Sequence, residues 1–123
     1  MNNRLVTEEV QKALTAYPLY TQDGKQKNAV CVCLFRIGNV RWYILEGQEE
    51  GNDFTFYGIV AGLYETEYGY ISANELQDIK VNADCYGLGI LTVEQDKSFK
   101  SCKLEEIKDD ELQNFLSSLY DRK

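Results

Sequence analysis

The chain contains no histidine. That absence excludes Ser-His-Asp and Cys-His nucleophile activation, histidine general bases and every histidine-bearing zinc site. Catalysis is left with carboxylate, Lys, Tyr or Cys chemistry. There is one proline, Pro18. Neither phosphate-cradling glycine pattern, GxxxxGK[ST] or GxGxxG, occurs. No apolar run approaches the ~20 residues needed to span a bilayer. The opening "MNNRLVTEEV" lacks the apolar core of a secretory signal. A cytoplasmic location with no membrane partner is therefore the expectation. In that compartment the four cysteines, Cys31, Cys33, Cys85 and Cys102, are expected to be free thiols.

What is present describes a globular protein. Apolar residues make up 44% of 123 positions, enough for one core and one domain spanning 1–123. The net charge is −7, and it is unevenly spread. Residues 42–96 hold eleven acids against Lys80 alone, whereas residues 97–123 hold six charges of each sign. An acidic middle repels phosphate, so direct nucleic-acid binding is disfavoured and a protein partner with a basic surface is favoured. The bland alternative is that the acids only aid solubility.

Local signals place the elements. Thr7 is a good N-cap, with Glu8 and Glu9 in the first turn. Val10, Ala13, Leu14 and Tyr17 then follow i, i+3, i+4, i+7 spacing, predicting a helix from Thr7 to about Ala16, stopped by Pro18. Val30–Phe35 is apolar on both faces, as in a central strand. Gly38-Asn39 is a two-residue hairpin signal. The return strand is predicted over Arg41–Glu46, and "EGQEEGND" (46–53) reads as an acidic loop. Next, Phe54, Phe56, Gly58 and Val60 face one way, and Thr55, Tyr57, Ile59 and Ala61 the other. Gly58 and Gly62 mark a bulge or a close backbone approach. Residues 64–69 read as a turn and "YGYI" (68–71) as a short fourth strand. Ser72 and Glu75 form a capping box for a short helix to about Ile79. Residues 87–95 are read as a last strand. Leu112, Phe115, Leu116 and Leu119 mark a C-terminal helix over about 109–121. The predicted fold class is α+β, a mostly antiparallel sheet of four to six strands with N-terminal, middle and C-terminal helices.

Each candidate chemistry has a structural counterpart. Cys31-x-Cys33 on one strand would put both thiols on one face. Zinc pairs, however, usually have C-x2-4-C spacing and a second pair, so small core residues are the better reading and no metal or cofactor is expected. Glu46, Glu49, Glu50, Asp53, Glu65 and Glu67 could supply paired carboxylates for acid/base work. "EGQEEGND" lacks the order of a calcium loop. The tyrosines could stack bases, but the acidic surroundings argue against it.

One resemblance stands beside these readings. The P-L-Y of Pro18–Tyr20, the W-Y-x-x-E of Trp42, Tyr43 and Glu46, the aromatic-Y-G-x-V-x-G of Phe56–Gly62 and the E-x-G-Y-[FI]-S-x-x-E-L of Glu67–Leu76 occur in order. Together they resemble the bacterial domain of unknown function 2958 family over a core of about 17–79. The family pattern continues with an I-E-R-D-like stretch; here the sequence reads "ILTVEQD", without arginine. The resemblance implies a small protein of mobile-element type and a groove carrying Glu46, Tyr57, Glu67 and Tyr70. Trp42 joins them as an aromatic anchor among acids. The resulting expectation is a non-catalytic protein-binding module that uses Trp42, Glu46, Tyr57, Glu67 and Tyr70. The alternative is a small carboxylate/tyrosine hydrolase with a small-molecule pocket.

Overall fold

The computed structural model describes residues 2–121. Thr7 caps α1 (Glu8–Leu14) by accepting the Val10 N–H at 3.1 Å. A polar loop and a 3₁₀ turn at Gln26–Asn28 lead to β1 (Val30–Cys31) and β2 (Cys33–Ile37). Gly38, with φ +54°, makes the tight turn into β3 (Val40–Glu50), which pairs with β4 (Asp53–Ala61). β5 (Glu67–Ser72) completes the meander, and Ser72 caps α2 (Ala73–Gln77). After these come β6 (Lys80–Asn82), β7 (Ile90–Thr92), β8 (Glu94–Gln95), β9 (Cys102–Lys103) and α3 (Asp110–Tyr120). The main sheet is antiparallel with order β5-β4-β3-β2-β8, flanked by the small β1-β9 and β6-β7 pairs. This is the expected α+β architecture.

Each face of the sheet has its own apolar cluster. Phe35, Trp42, Ile44, Phe54 and Phe56 meet Val10 and Leu14 of α1 and Ala73 and Leu76 of α2. On the opposite face Tyr43, Leu45, Ile59 and Ala61 meet Leu112 and Leu116 of α3.

Four local expectations are corrected. Residues 46–50 are not loop: β3 runs on to Glu50, and the turn is only Gly51-Asn52, with Gly51 at φ +62°. The apolar segment 30–35 breaks at Val32, whose N–H reaches the Ile44 carbonyl. Cys31 consequently packs beneath α3 while Cys33 packs on the α1/α2 side, so the two thiols do not share a face. Residues 87–95 are not one strand: β7 pairs with β6, β8 pairs with β2, and Val93 is buried between them. The short helix stops at Gln77, because Asp78 already closes the last turn.

Candidate functional site

The chemistry gathers where β3 is irregular. Its register against β4 shifts between Ile44 and Glu46: Ile44 opposes Gly58, and Glu46 opposes Tyr57. Leu45 is the extra residue of a β-bulge. A regular strand would place Glu46 on the side of Trp42 and Ile44, in the aromatic core. The bulge turns Leu45 and Glu46 toward the same face, beneath α3 and beside Tyr57. The partner strand accommodates the bulge through Gly58, where an added Cβ would overlap the Tyr43 carbonyl oxygen. A Cβ at Gly62, with φ +94°, would likewise overlap the Asn39 carbonyl oxygen.

Glu46 is 2% exposed. Its two oxygens accept the backbone N–H groups of Tyr20 and Gln22, each at 2.8 Å. Gln22 extends the clamp: its Nε2 donates to the Val30 and Leu45 carbonyls, and its Oε1 accepts the Val30 N–H. Buried polar groups need such partners, and these fasten the 18–29 loop to β3. At the clamp Tyr20 adopts φ +75°, a left-handed conformation costly for a residue with a Cβ. Charge-assisted bonding to Glu46 opposes that cost.

Beside the clamp lies a cleft of about 290 Å³, lined by Asp23, Glu46, Tyr57, Tyr68 and Tyr120 together with Gln22 and neighbouring loop residues. Its tyrosines form one cluster. Tyr57 stacks on Tyr68 with ring centroids 5.9 Å apart and packs obliquely on Tyr70 at 4.9 Å. The Tyr68 and Tyr120 hydroxyls are 2.8 Å apart. Tyr70, at the exposed rim, has its pKa pushed up to about 12, chiefly by hydrogen bonding to Tyr20. Burial raises the pKa of Tyr57, helped by the charges of Glu46 and Asp23. Burial also raises Tyr68 far above the ordinary range, reinforced by its bond to Tyr120. These phenols stay protonated at neutral pH.

A polar latch holds α3 over this face. Arg41 donates from Nε and Nη2 to Asp109 Oδ2 at 3.0 and 2.8 Å, from Nη2 to Glu111 at 3.0 Å, and from Nη1 to the Asn39 carbonyl. Tyr43 donates to the same Asp109 oxygen at 2.5 Å, while Asp109 Oδ1 caps α3 through the Leu112 N–H. Burial alone would raise the Asp109 pKa, but the bonds from Tyr43 and Arg41 outweigh it and hold the pKa low.

The sheet separates the five sequence-derived site residues. Glu46, Tyr57 and Tyr70 share the α3 face, as the Glu46–Tyr57 and Tyr57–Tyr70 pairings require. Trp42 and Glu67 lie on the other face, where they line a second cleft of about 260 Å³ with Leu63, Ile71, Glu75 and Ile79; Tyr70, on edge strand β5, borders this second cleft as well. The free edge of β5 runs between the two clefts. Asp23, Gln22, Tyr68 and Tyr120 are the additions supplied by the structure. The 18–29 loop and α3 bring them in, and strand alternation in 54–72 signals only Tyr68. Asp53 has a structural role: it accepts the Asn74 and Phe54 N–H groups and the Ser72 hydroxyl.

Among the described residues no group of three or more Cys, Asp or Glu is placed to hold a metal ion, and no helix is long and apolar enough to cross a membrane. The four cysteines are free. No family model, curated protein or solved structure matches the chain.

Proposed function

We propose that this chain is a non-catalytic protein-binding module of mobile-element type, acting in the bacterial cytoplasm on a partner with a basic surface. The carrying observation is the cleft itself: tyrosine walls, two carboxylates at Glu46 and Asp23, and no lysine or arginine among its lining residues. Aromatic anchors beside uncompensated acids suit recognition of a basic surface. The mobile-element assignment rests on the resemblance to the domain of unknown function 2958 family.

The hydrolase alternative has less support. Both Glu46 oxygens already hold backbone N–H groups, so this carboxylate is committed to the loop rather than to proton transfer. The pKa values of Tyr57, Tyr68 and Tyr70 are raised, opposite to the direction an activated phenolate requires. The carboxylates with displaced pKa values, Asp53, Asp96, Asp109, Glu111 and Asp121, all move down, whereas a general acid needs its pKa raised.

Affinity capture from bacterial lysate at low and high salt tests the reading. The variants are Asp23→Asn, Glu49→Gln, Glu50→Gln and Glu67→Gln, all exposed acids outside the backbone clamps. The expected result is a basic protein retained at low salt, released at high salt and weakened by the substitutions. Retention indifferent to both salt and substitution overturns the proposal.

A further inference from the structure

Among the described residues no lysine or arginine forms an ion pair with the buried Glu46 carboxylate. The ion pairs among the described residues are Arg4–Glu94, Lys27–Asp121, Arg36–Asp96, Arg41–Asp109 and Arg41–Glu111, and none includes Glu46. A buried carboxylate ordinarily has a cation or a full set of hydrogen bonds. Glu46 accepts two N–H bonds, and a carboxylate offers about four acceptor positions. The remaining capacity belongs to a residue that lines the cleft.

The walls fit the same ligand. Tyr57 and Tyr68 lie nearly parallel, 12° apart, at 5.9 Å between centroids. That spacing is too small for a group to lie between them, so the ligand has to approach from the cleft side. The negative face of a phenol attracts an organic cation, and the attraction strengthens as water is excluded. Exposed Asp23 adds a second negative charge to the lining. Lys27, the ion-paired lysine of this loop, is held by Asp121 at 2.8 Å.

We propose that the tyrosine cleft seats the cationic end of a lysine or arginine side chain projecting from the basic partner. This rests on the protein-binding reading and specifies its anchor. The aliphatic stem of such a side chain packs against tyrosine while its charged head reaches Glu46 and Asp23. A guanidinium suits the cleft better than an ammonium because it is less strongly hydrated and stacks on aromatic faces.

The test titrates the purified full chain with N-butylguanidinium and, at equal ionic strength, with the uncharged N-butylurea, following the Tyr57 and Tyr68 ring resonances by NMR. The guanidinium is expected to shift them saturably and the urea not. Tyr57→Leu should weaken cation binding by about two- to thirtyfold, the range of one cation–aromatic contact. Asp23→Asn should weaken it in the same direction. Neither substitution removes a hydrogen bond of the Glu46 clamp, and the thermal unfolding midpoint of each variant separates lost binding from lost fold. No saturable shift, an equal shift with the urea, or unchanged binding in both variants overturns the site. Saturating guanidinium should also release the captured partner. A partner that stays bound overturns the side-chain assignment but not the binding-module reading. Cation binding without any captured partner overturns that reading and assigns the cleft to a free organic cation.

Discussion

The two faces of the sheet are built from the same strands and end differently. The α1/α2 face is covered by two helices and by Leu5, Val6 and Val93, with Phe35 and Phe56 fully buried beneath them, and opens into the Trp42–Glu67 cleft beside β5. The α3 face has one helix. Its buried helix residues are Leu112 and Leu116, with Leu104 ahead of the helix and Phe115 and Tyr120 packed at their edge, and the area beyond is occupied by the 18–29 loop and the cleft. Covering a sheet face incompletely leaves polar backbone and phenol groups that need partners. Here the Glu46 clamp and the Arg41–Asp109 latch supply them. One face therefore provides stability through packing, and the other provides a shaped surface held by hydrogen bonds. A residue on the first face should matter mostly to folding, and one on the second mostly to recognition.

The strongest way to break that contrast is to truncate neighbouring residues of β4 that point in opposite directions. Phe56 is fully buried and lies 5.4 Å from Phe35 and 5.3 Å from Phe54 between ring centroids. Phe56→Ala should cost about 3–5 kcal/mol in urea or thermal unfolding, through lost transfer energy and the cavity left behind. Tyr57→Leu, one residue along, should cost under about 1 kcal/mol because the tyrosine is only half-buried. Equal losses at the two positions would mean that the α3 face carries as much packing as the α1/α2 face.

The latch comes next in size. Asp109→Ala removes the N-cap of α3 and the acceptor shared by Arg41 and Tyr43, leaving Arg41 largely buried with only Glu111 and the Asn39 carbonyl. The expected loss is about 3 kcal/mol. The same group gives acid sensitivity. Because the folded pKa of Asp109 lies below its ordinary value of 3.8, its contribution is complete above that value and disappears as pH falls through the folded one. Asp109→Asn should flatten this part of the acid-unfolding curve. A curve with unchanged slope would place the acid sensitivity elsewhere.

The same contrast separates what the sequence revealed from what it hid. The α1/α2 face could be read because it depends on short-range rules: Thr7 and Ser72 cap helices, Phe54 and Phe56 alternate with Thr55 and Tyr57, and Gly38-Asn39 turns the chain. The cleft could not be read because it depends on one inserted residue. Without the bulge at Leu45, period-two counting puts Glu46 beside Trp42; with it, Glu46 faces Tyr57. Glycines at 58 and 62 signalled a bulge or a close approach, but not which residue of the partner strand would be doubled. Glu67 and Tyr70 both border the cleft beside Trp42, but they differ by an odd number of positions in β5, and alternation turns Glu67 away from Tyr57 and Glu46. Asp23 and Tyr120 come from a loop and a helix whose docking follows from the clamp and the latch, which are long-range contacts with no local signature.

The smallest expected effect probes the tyrosine face at the opposite end of the pH scale. Burial raises the pKa of Tyr68, and its bond to the Tyr120 hydroxyl raises it further. A phenol with a raised folded pKa adds stability that is complete below its unfolded value of about 10, and that stability is lost as pH rises from there toward the folded value. Tyr120→Phe removes one hydroxyl and keeps the ring. It should cost about 1 kcal/mol at neutral pH, the net worth of one hydrogen bond. It should also bring the Tyr68 ionisation down in an alkaline absorbance titration, because one cause of its elevation is gone and burial remains. The acid limb of unfolding, governed by the latch, should stay where it was. If Tyr120→Phe moves the acid limb as well, the latch and the tyrosine cluster are one cooperative unit; if it moves only the alkaline limb, α3 is held at its two ends by independent devices, and the cleft can change its contacts without loosening the helix that borders it.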